Sequence, residues 1–304
     1  MLRHVLSIKD FNHETLTRFL STCSAFAGRD SLKFSQKKIL ATLFFEPSTR
    51  TRLSFESAML QLDGAVISCA DDKSSSVQKG ETIYDTIKTV SGYCDAIVIR
   101  HPIEGSARLA AEASDIPIIN AGDGSISHPS QSLVDAFSIK NNLAKLDGLN
   151  IGYMGDLKYG RTIHSLVETM AMFHRNKHYF IAADPSLQIE KDNSNIVQPN
   201  RIFYPDSLNE VIKELDVLYV TRLQKERFHD QMEFNRIIKK YRITPESLAG
   251  AKKQLMVMHP LPRNDEISRE VDSTSHAYYF KQAHNGIIVR KALLYQLIQI
   301  GGIK

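Results

Sequence analysis

The residues with the most chemistry to offer lie in Phe44-Phe45-Glu46-Pro47-Ser48-Thr49-Arg50-Thr51-Arg52. Hydroxyls at Ser48, Thr49 and Thr51, with the forked guanidinium of Arg50, form a donor set suited to a phosphate dianion. The flanking pattern says how they are held. Residues 39–45 are an apolar, β-compatible run, and Leu53, Phe55, Ala58, Met59 and Leu62 recur at helical spacing. The segment therefore reads as strand, tight turn, helix. Several backbone N–H groups would converge there at the positive end of a helix dipole. Taken alone, the stretch reads equally well as a serine-capped helix with a solvated Arg-Thr-Arg face.

Further along, the chain repeats this placement. Arg100, the Gly122-Asp123-Gly124 turn, Arg161, Arg222 and His259-Pro260-Leu261-Pro262-Arg263 each follow an apolar run that reads as a strand. Lys79 lies in a polar loop, and His128 stands before Pro129, which is well placed to open a helix. Each of these residues has a plain reading by itself: a solvated lysine, a helix-start histidine, a surface arginine. Scattered surface arginines, however, show no preference for strand ends. In parallel α/β sheets ligands bind beyond the carboxyl ends of the strands, so these groups form a candidate anion site. No paired carboxylates, GxSxG, HExxH, Walker A or GxGxxG pattern accompanies them. Such a site is rich in donors and poor in nucleophiles. It would act by positioning substrates and by stabilising negative charge as it develops.

The elements that carry these residues alternate strand and helix along the 304-residue chain, which is long enough for two lobes. The fold expected is α/β, with two doubly wound lobes, each a central parallel sheet flanked by helices. Strands are expected at 65–68, 95–100, 117–120, 151–154, 179–182, 216–220 and 255–258, and a last apolar helix at 289–300. A net charge of +4, from 38 basic and 34 acidic residues, is too balanced to argue for nucleic-acid or membrane partners. The three cysteines are far apart and offer no metal-ligand spacing. The opening lacks a signal peptide's apolar core, so a cytoplasmic location is expected.

Seven motifs in order resemble those of aspartate carbamoyltransferase catalytic chains. They are the Phe44–Thr51 stretch, Gln78-Lys79-Gly80-Glu81, Arg100-His101-Pro102, His128-Pro129-Ser130-Gln131, Gly155-Asp156-Leu157-Lys158-Tyr159-Gly160-Arg161-Thr162, Thr221-Arg222-Leu223-Gln224-Lys225-Glu226-Arg227 and the His259–Arg263 stretch. The resemblance implies transfer of a carbamoyl group from carbamoyl phosphate to L-aspartate, with no metal or organic cofactor. It implies a carbamoyl phosphate-binding domain over 1–130, an aspartate-binding domain over 131–285, and a helix at 286–304 that packs back on the first. The active site would occupy the cleft between the lobes.

Carried over by position, Ser48, Thr49, Arg50 and Thr51 would cradle the phosphate. Thr51, Arg100 and His128 would polarise the carbamoyl oxygen. Gln131 and the backbone carbonyls of Pro260 and Leu261 would hold the carbamoyl NH2, and the Leu261–Pro262 bond would be cis. Arg161, Arg222 and Gln224 would take the aspartate carboxylates. The resemblance also implies a homotrimer with shared sites, in which Ser75 (or Ser76) and Lys79 serve a neighbouring copy. Glu46 would pair with Arg161 and Arg227 on domain closure. The sequence leaves open whether regulatory chains or a dihydroorotase partner bind. The rivals are an ornithine carbamoyltransferase and a non-catalytic phosphate sensor. The first is disfavoured by Pro260, where that type has Cys, and by the Thr-Arg-x-Gln run at 221–224. The second is disfavoured by the intact motif set.

Overall fold

The computed structural model describes residues 2–27, 32–69, 80–124, 127–190, 196–223 and 231–303. Ser75, Ser76, Lys79, Gln224 and Arg227 lie outside the described residues. Two compact units are present, one of Met1–Phe137 with His284–Lys304 and one of Ser138–Ala283.

In the first unit, β1 (Ile39–Phe44), β2 (Ala65–Cys69), β3 (Ala96–His101) and β4 (Ile118–Asp123) form a parallel sheet ordered β2-β1-β3-β4. Five of the six β1 residues and all of those in β3 are buried, as continuous apolar runs in central parallel strands require. Its helices are α1 (His13–Phe26), α2 (Thr49–Gln61), α3 (Ile83–Val90), α4 (Ser106–Ala113) and the first part of α5 (Pro129–Leu143), whose residues from Ser138 on belong to the second unit. One core joins Ala41, Leu43 and Phe45 to Ile97, Ile99, Ala110 and Ile118. The C-terminal segment belongs to this unit: Phe34 stacks on Tyr295, and Leu2 bridges Ile303.

The second unit carries β5 (Asn150–Gly155), α6 (Arg161–Ala171), β6 (Lys177–Ala182), β7 (Ile202–Phe203), β8 (Val217–Val220), α7 (Gln231–Tyr241) and β9 (Met256–Met258). Its sheet is also wholly parallel, ordered β7-β6-β5-β8-β9. Leu215, Leu218, Val220, Ile243 and Val257 belong to one hydrophobic core of this unit.

The final helix, α8, spans Tyr279–Leu294 and continues as a π turn over Tyr295–Gln299, so it starts ten residues before the expected 289. The reason is local. Lys281, Gln282, His284, Asn285 and Gly286 interrupt the apolar pattern, and the helix there is set by packing and not by periodicity. Helices α4 and α7 and the two-residue β7 carry no expectation in the sequence either. Among the described residues, no helix is long and apolar enough to cross a membrane, and no group of three or more His, Cys, Asp or Glu residues could hold a metal.

Candidate active site

Both sheets reverse their winding once, and the turn after β1, Arg100, Arg161 and Arg222 sit beside the reversals. In the first sheet the switch point falls between β1 and β3. The turn 45–48 leaves β1 and Arg100 lies near the end of β3, with Phe44 and Arg100 in register. A hydrogen bond from Phe45 N to Arg100 O (2.9 Å) ties the turn to the neighbouring strand. In the second sheet the switch falls between β5 and β8. Arg161 opens the helix after β5, and Arg222 follows β8. Ligands of doubly wound sheets bind at such crevices.

At α2 the geometry separates the two readings of the phosphate turn. Ser48 is the N-cap residue, yet its side chain makes no capping hydrogen bond, and no acidic residue occupies the first turn. Neither a serine hydroxyl nor a carboxylate of the first turn caps this helix start, the arrangement an anion cradle calls for. The two arginines differ. Arg52 reaches forward to Glu56 at 3.7 Å as an i,i+4 pair, whereas Arg50 is exposed and Thr51 is buried.

Arg100 is held from two sides. Nη1 donates to Ala121 O (3.2 Å) and Nη2 to Glu46 Oε1 (2.9 Å). At Gly122, where φ is +131°, a side chain would strain the backbone, and its Cβ would stand 3.0 Å from Arg100 Nη1 and push against the guanidinium. Glu46, expected to serve domain closure, is here engaged with Arg100 within the first unit. His128, 5% exposed, lies just past β4, with Nδ1 3.3 Å from Ser130 Oγ. Three residues on, Gln131 Nε2 donates to Asp135 Oδ1 (2.8 Å). Burial pushes the Asp123 carboxyl up, although backbone N–H groups at the start of α4 partly offset this.

In the second unit, a Cβ at Gly155 (φ +134°) would meet Thr221 O and Oγ1 at 2.6 Å, so the end of β5 has no room for a side chain beside Thr221. Thr221 N donates to Met154 O (2.9 Å), and Tyr241 Oη donates to Thr221 O (3.1 Å). These bonds fix the backbone that presents Arg222. A cavity of about 700 Å³ is lined by Arg222, Arg242, Arg263, Glu266 and Arg269 among others, so the second unit offers more positive charge than sequence reasoning found. Arg263 is less available. It donates to Asp272 and to Tyr279 Oη, and lies over the Tyr279 and Phe280 rings.

Beyond β9, Pro260 and Leu261 are half-buried, Leu261 has φ +58°, and Leu261–Pro262 is the cis bond expected. His259 organises this turn. Leu261 N donates to its Nδ1 (2.8 Å), so the ring proton is on Nε2, which donates to Glu266 Oε1 (2.7 Å). Burial is the largest single influence on Glu266 and opposes its charge, but the interaction with His259 and the backbone N–H groups of Asn264 and Glu266 together outweigh it and hold the carboxyl below its usual range. A lowered pKa adds stability that is complete above the ordinary carboxylate range and lost as pH falls through the lowered value. Glu266→Gln is therefore expected to cost about 2 kcal/mol at neutral pH and to flatten the acid limb of a melting-temperature profile. An unchanged acid limb would contradict this account.

The sequence matches the aspartate/ornithine carbamoyltransferase carbamoyl-P binding domain over residues 3–141 and the Asp/Orn binding domain of the same description over 147–297. The aspartate carbamoyltransferase catalytic subunit of Archaeoglobus fulgidus is 49% identical over 302 residues, covering 98% of this chain and all of the relative. The catalytic subunit of M. jannaschii aspartate transcarbamoylase superposes with a TM-score of 0.91 at 46% identity, over 98% of this chain and 99% of its own. A Trypanosoma cruzi aspartate transcarbamoylase in complex with N-(phosphonacetyl)-L-aspartic acid gives 0.89 at 36% identity, over 97% and 95%.

Proposed function

Because the chain belongs to the aspartate/ornithine carbamoyltransferase family, we propose that it is an aspartate carbamoyltransferase. It converts carbamoyl phosphate and L-aspartate to N-carbamoyl-L-aspartate and phosphate, the committed step of pyrimidine synthesis, in the cytoplasm. The observation that carries the reading is the pair of switch points, each edged by its own set of anion donors.

The first unit takes carbamoyl phosphate. N–H groups at the start of α2, with Ser48, Thr49, Arg50 and Thr51, receive the phosphate, and Thr51, Arg100 and His128 donate to the carbamoyl oxygen. Gln131, with the carbonyls of Pro260 and Leu261, accepts from the carbamoyl NH2. Arg161, Arg222 and Gln224 of the second unit take the carboxylates of aspartate. Two arginines suit a dicarboxylate and repel the ammonium tail of ornithine. The neutral amine of aspartate attacks the carbamoyl carbon, and charge gathers on the oxygen that faces Arg100 and His128. The tetrahedral intermediate then collapses with loss of phosphate, which carries away the amine proton. No covalent enzyme intermediate forms, in keeping with a donor set poor in nucleophiles.

The working form we propose is a homotrimer in which Lys79 and Ser75 of one copy complete the site of the next. Outward-facing Leu53 and Leu60 on α2, 51% and 59% exposed, and Ile67 on edge strand β2 support a contact with a second copy. The deciding assay follows carbamoyl-amino-acid formation from carbamoyl phosphate with aspartate or with ornithine. Product with aspartate alone is expected. Product with ornithine, or none with either, would refute the assignment.

A further inference from the structure

Gln131 and Asp135 stand one helical turn apart on α5, so their side chains share a face. The 2.8 Å bond between them fixes which end of the amide is which. A carboxylate can only accept, so the group against it must be the NH2, and Oε1 is turned to the other side. Asp135 is fully buried, at 0% exposure, and needs a compensating charge to remain ionised. Arg290 on α8 is a buried charge of opposite sign that acts on it. Its guanidinium is buried within the influence of the Asp135 charge and lies 4.9 Å above the Phe55 ring. Burial lowers the Arg290 pKa to about 10, which leaves the side chain charged at neutral pH. Gly286, one turn earlier on α8, has no Cβ to collide with Arg290 Nη1.

Two buried charges are a poor way to stabilise a core, because their desolvation rivals their attraction and apolar residues of similar size do as well. Their arrangement here has a better explanation in the amide they hold. We propose that Asp135 is a positioning residue that turns Gln131 so that its oxygen faces the carbamoyl NH2, with Arg290 keeping Asp135 in its acceptor-only form. The inference rests on the role given to Gln131 above. It makes the first unit selective for an acyl phosphate bearing NH2 over one bearing CH3, since a flipped amide would oppose donor to donor.

The test compares KM for carbamoyl phosphate with the inhibition constant of acetyl phosphate, which replaces the NH2 by CH3. In Asp135→Asn the positive Arg290 attracts the new amide oxygen, leaving an NH2 toward Gln131 and favouring the flipped glutamine. KM for carbamoyl phosphate should rise about tenfold while acetyl phosphate inhibition stays within twofold. Gln131→Ala should erase the same preference, and the Asp135→Asn, Gln131→Ala double variant should lose no more. If Asp135→Asn does not accumulate as folded protein, Asp135→Leu with Arg290→Met removes both charges and should erase the preference too. Wild-type preference in the Asp135 variants, alongside its loss in Gln131→Ala, overturns the proposal and leaves the assigned reaction standing. Wild-type preference in Gln131→Ala removes the role of Gln131, and the proposal with it. Absence of carbamoyl transfer by the wild-type protein would instead count against the reaction itself.

Discussion

Arg50→Ala is expected to lower kcat for carbamoyl-aspartate formation by about a thousandfold or more, with the folded state intact. Arg50 is exposed on the first turn of α2, so truncating it removes no core packing. What it removes is a permanent positive charge beside a helix start whose N-cap serine is not spent on capping. A single pre-organised donor to developing charge contributes roughly 10²–10³ in rate, and a charged, forked one on the departing phosphate should exceed that. Steady-state kinetics should accompany circular dichroism and a melting curve. A kcat within tenfold of wild type, in protein that melts normally, would dispose of the phosphate-cradle assignment.

Lys79→Ala and Arg161→Ala chains should each be inactive alone. Dissociated, mixed and reassembled, they should recover activity of about one quarter of the wild-type level. The fraction follows from closed trimers of two randomly mixed chains, in which one site in four combines an intact Arg161 with an intact Lys79 from its neighbour. Recovery requires that the two residues act in one site but come from different copies. Hybrids that stay inactive, while wild-type chains treated the same way recover, would show that Lys79 serves its own chain.

Much of the fold was legible because parallel strands buried on both faces leave unbroken apolar runs such as Ile39–Phe44. The site residues were legible as polar motifs that interrupt those runs at their carboxyl ends. The sheet order was not, since strand sequence says nothing about which neighbour a crossover reaches. Only the orders β2-β1-β3-β4 and β7-β6-β5-β8-β9 show that Arg100 and Arg222 flank the reversals. Asp135 and Arg290 escaped notice because charged residues in an amphipathic helix are read as solvated. The four-residue step from Gln131 to Asp135 was the available signal, and Arg290 lay too far along the chain to be linked to it. Glu266 was hidden likewise, its partner His259 being identifiable only as part of a proline-rich turn.

Gly122 and Gly155 answer the same spatial demand in two different sheets, each leaving clear the volume that a methyl group would take from Arg100 or from Thr221. Neither glycine has a side chain with which to contact a substrate. In a genetic screen for uracil auxotrophs, these two codons should therefore yield alleles as severe as those at the arginines, and a survey confined to charged positions would overlook them.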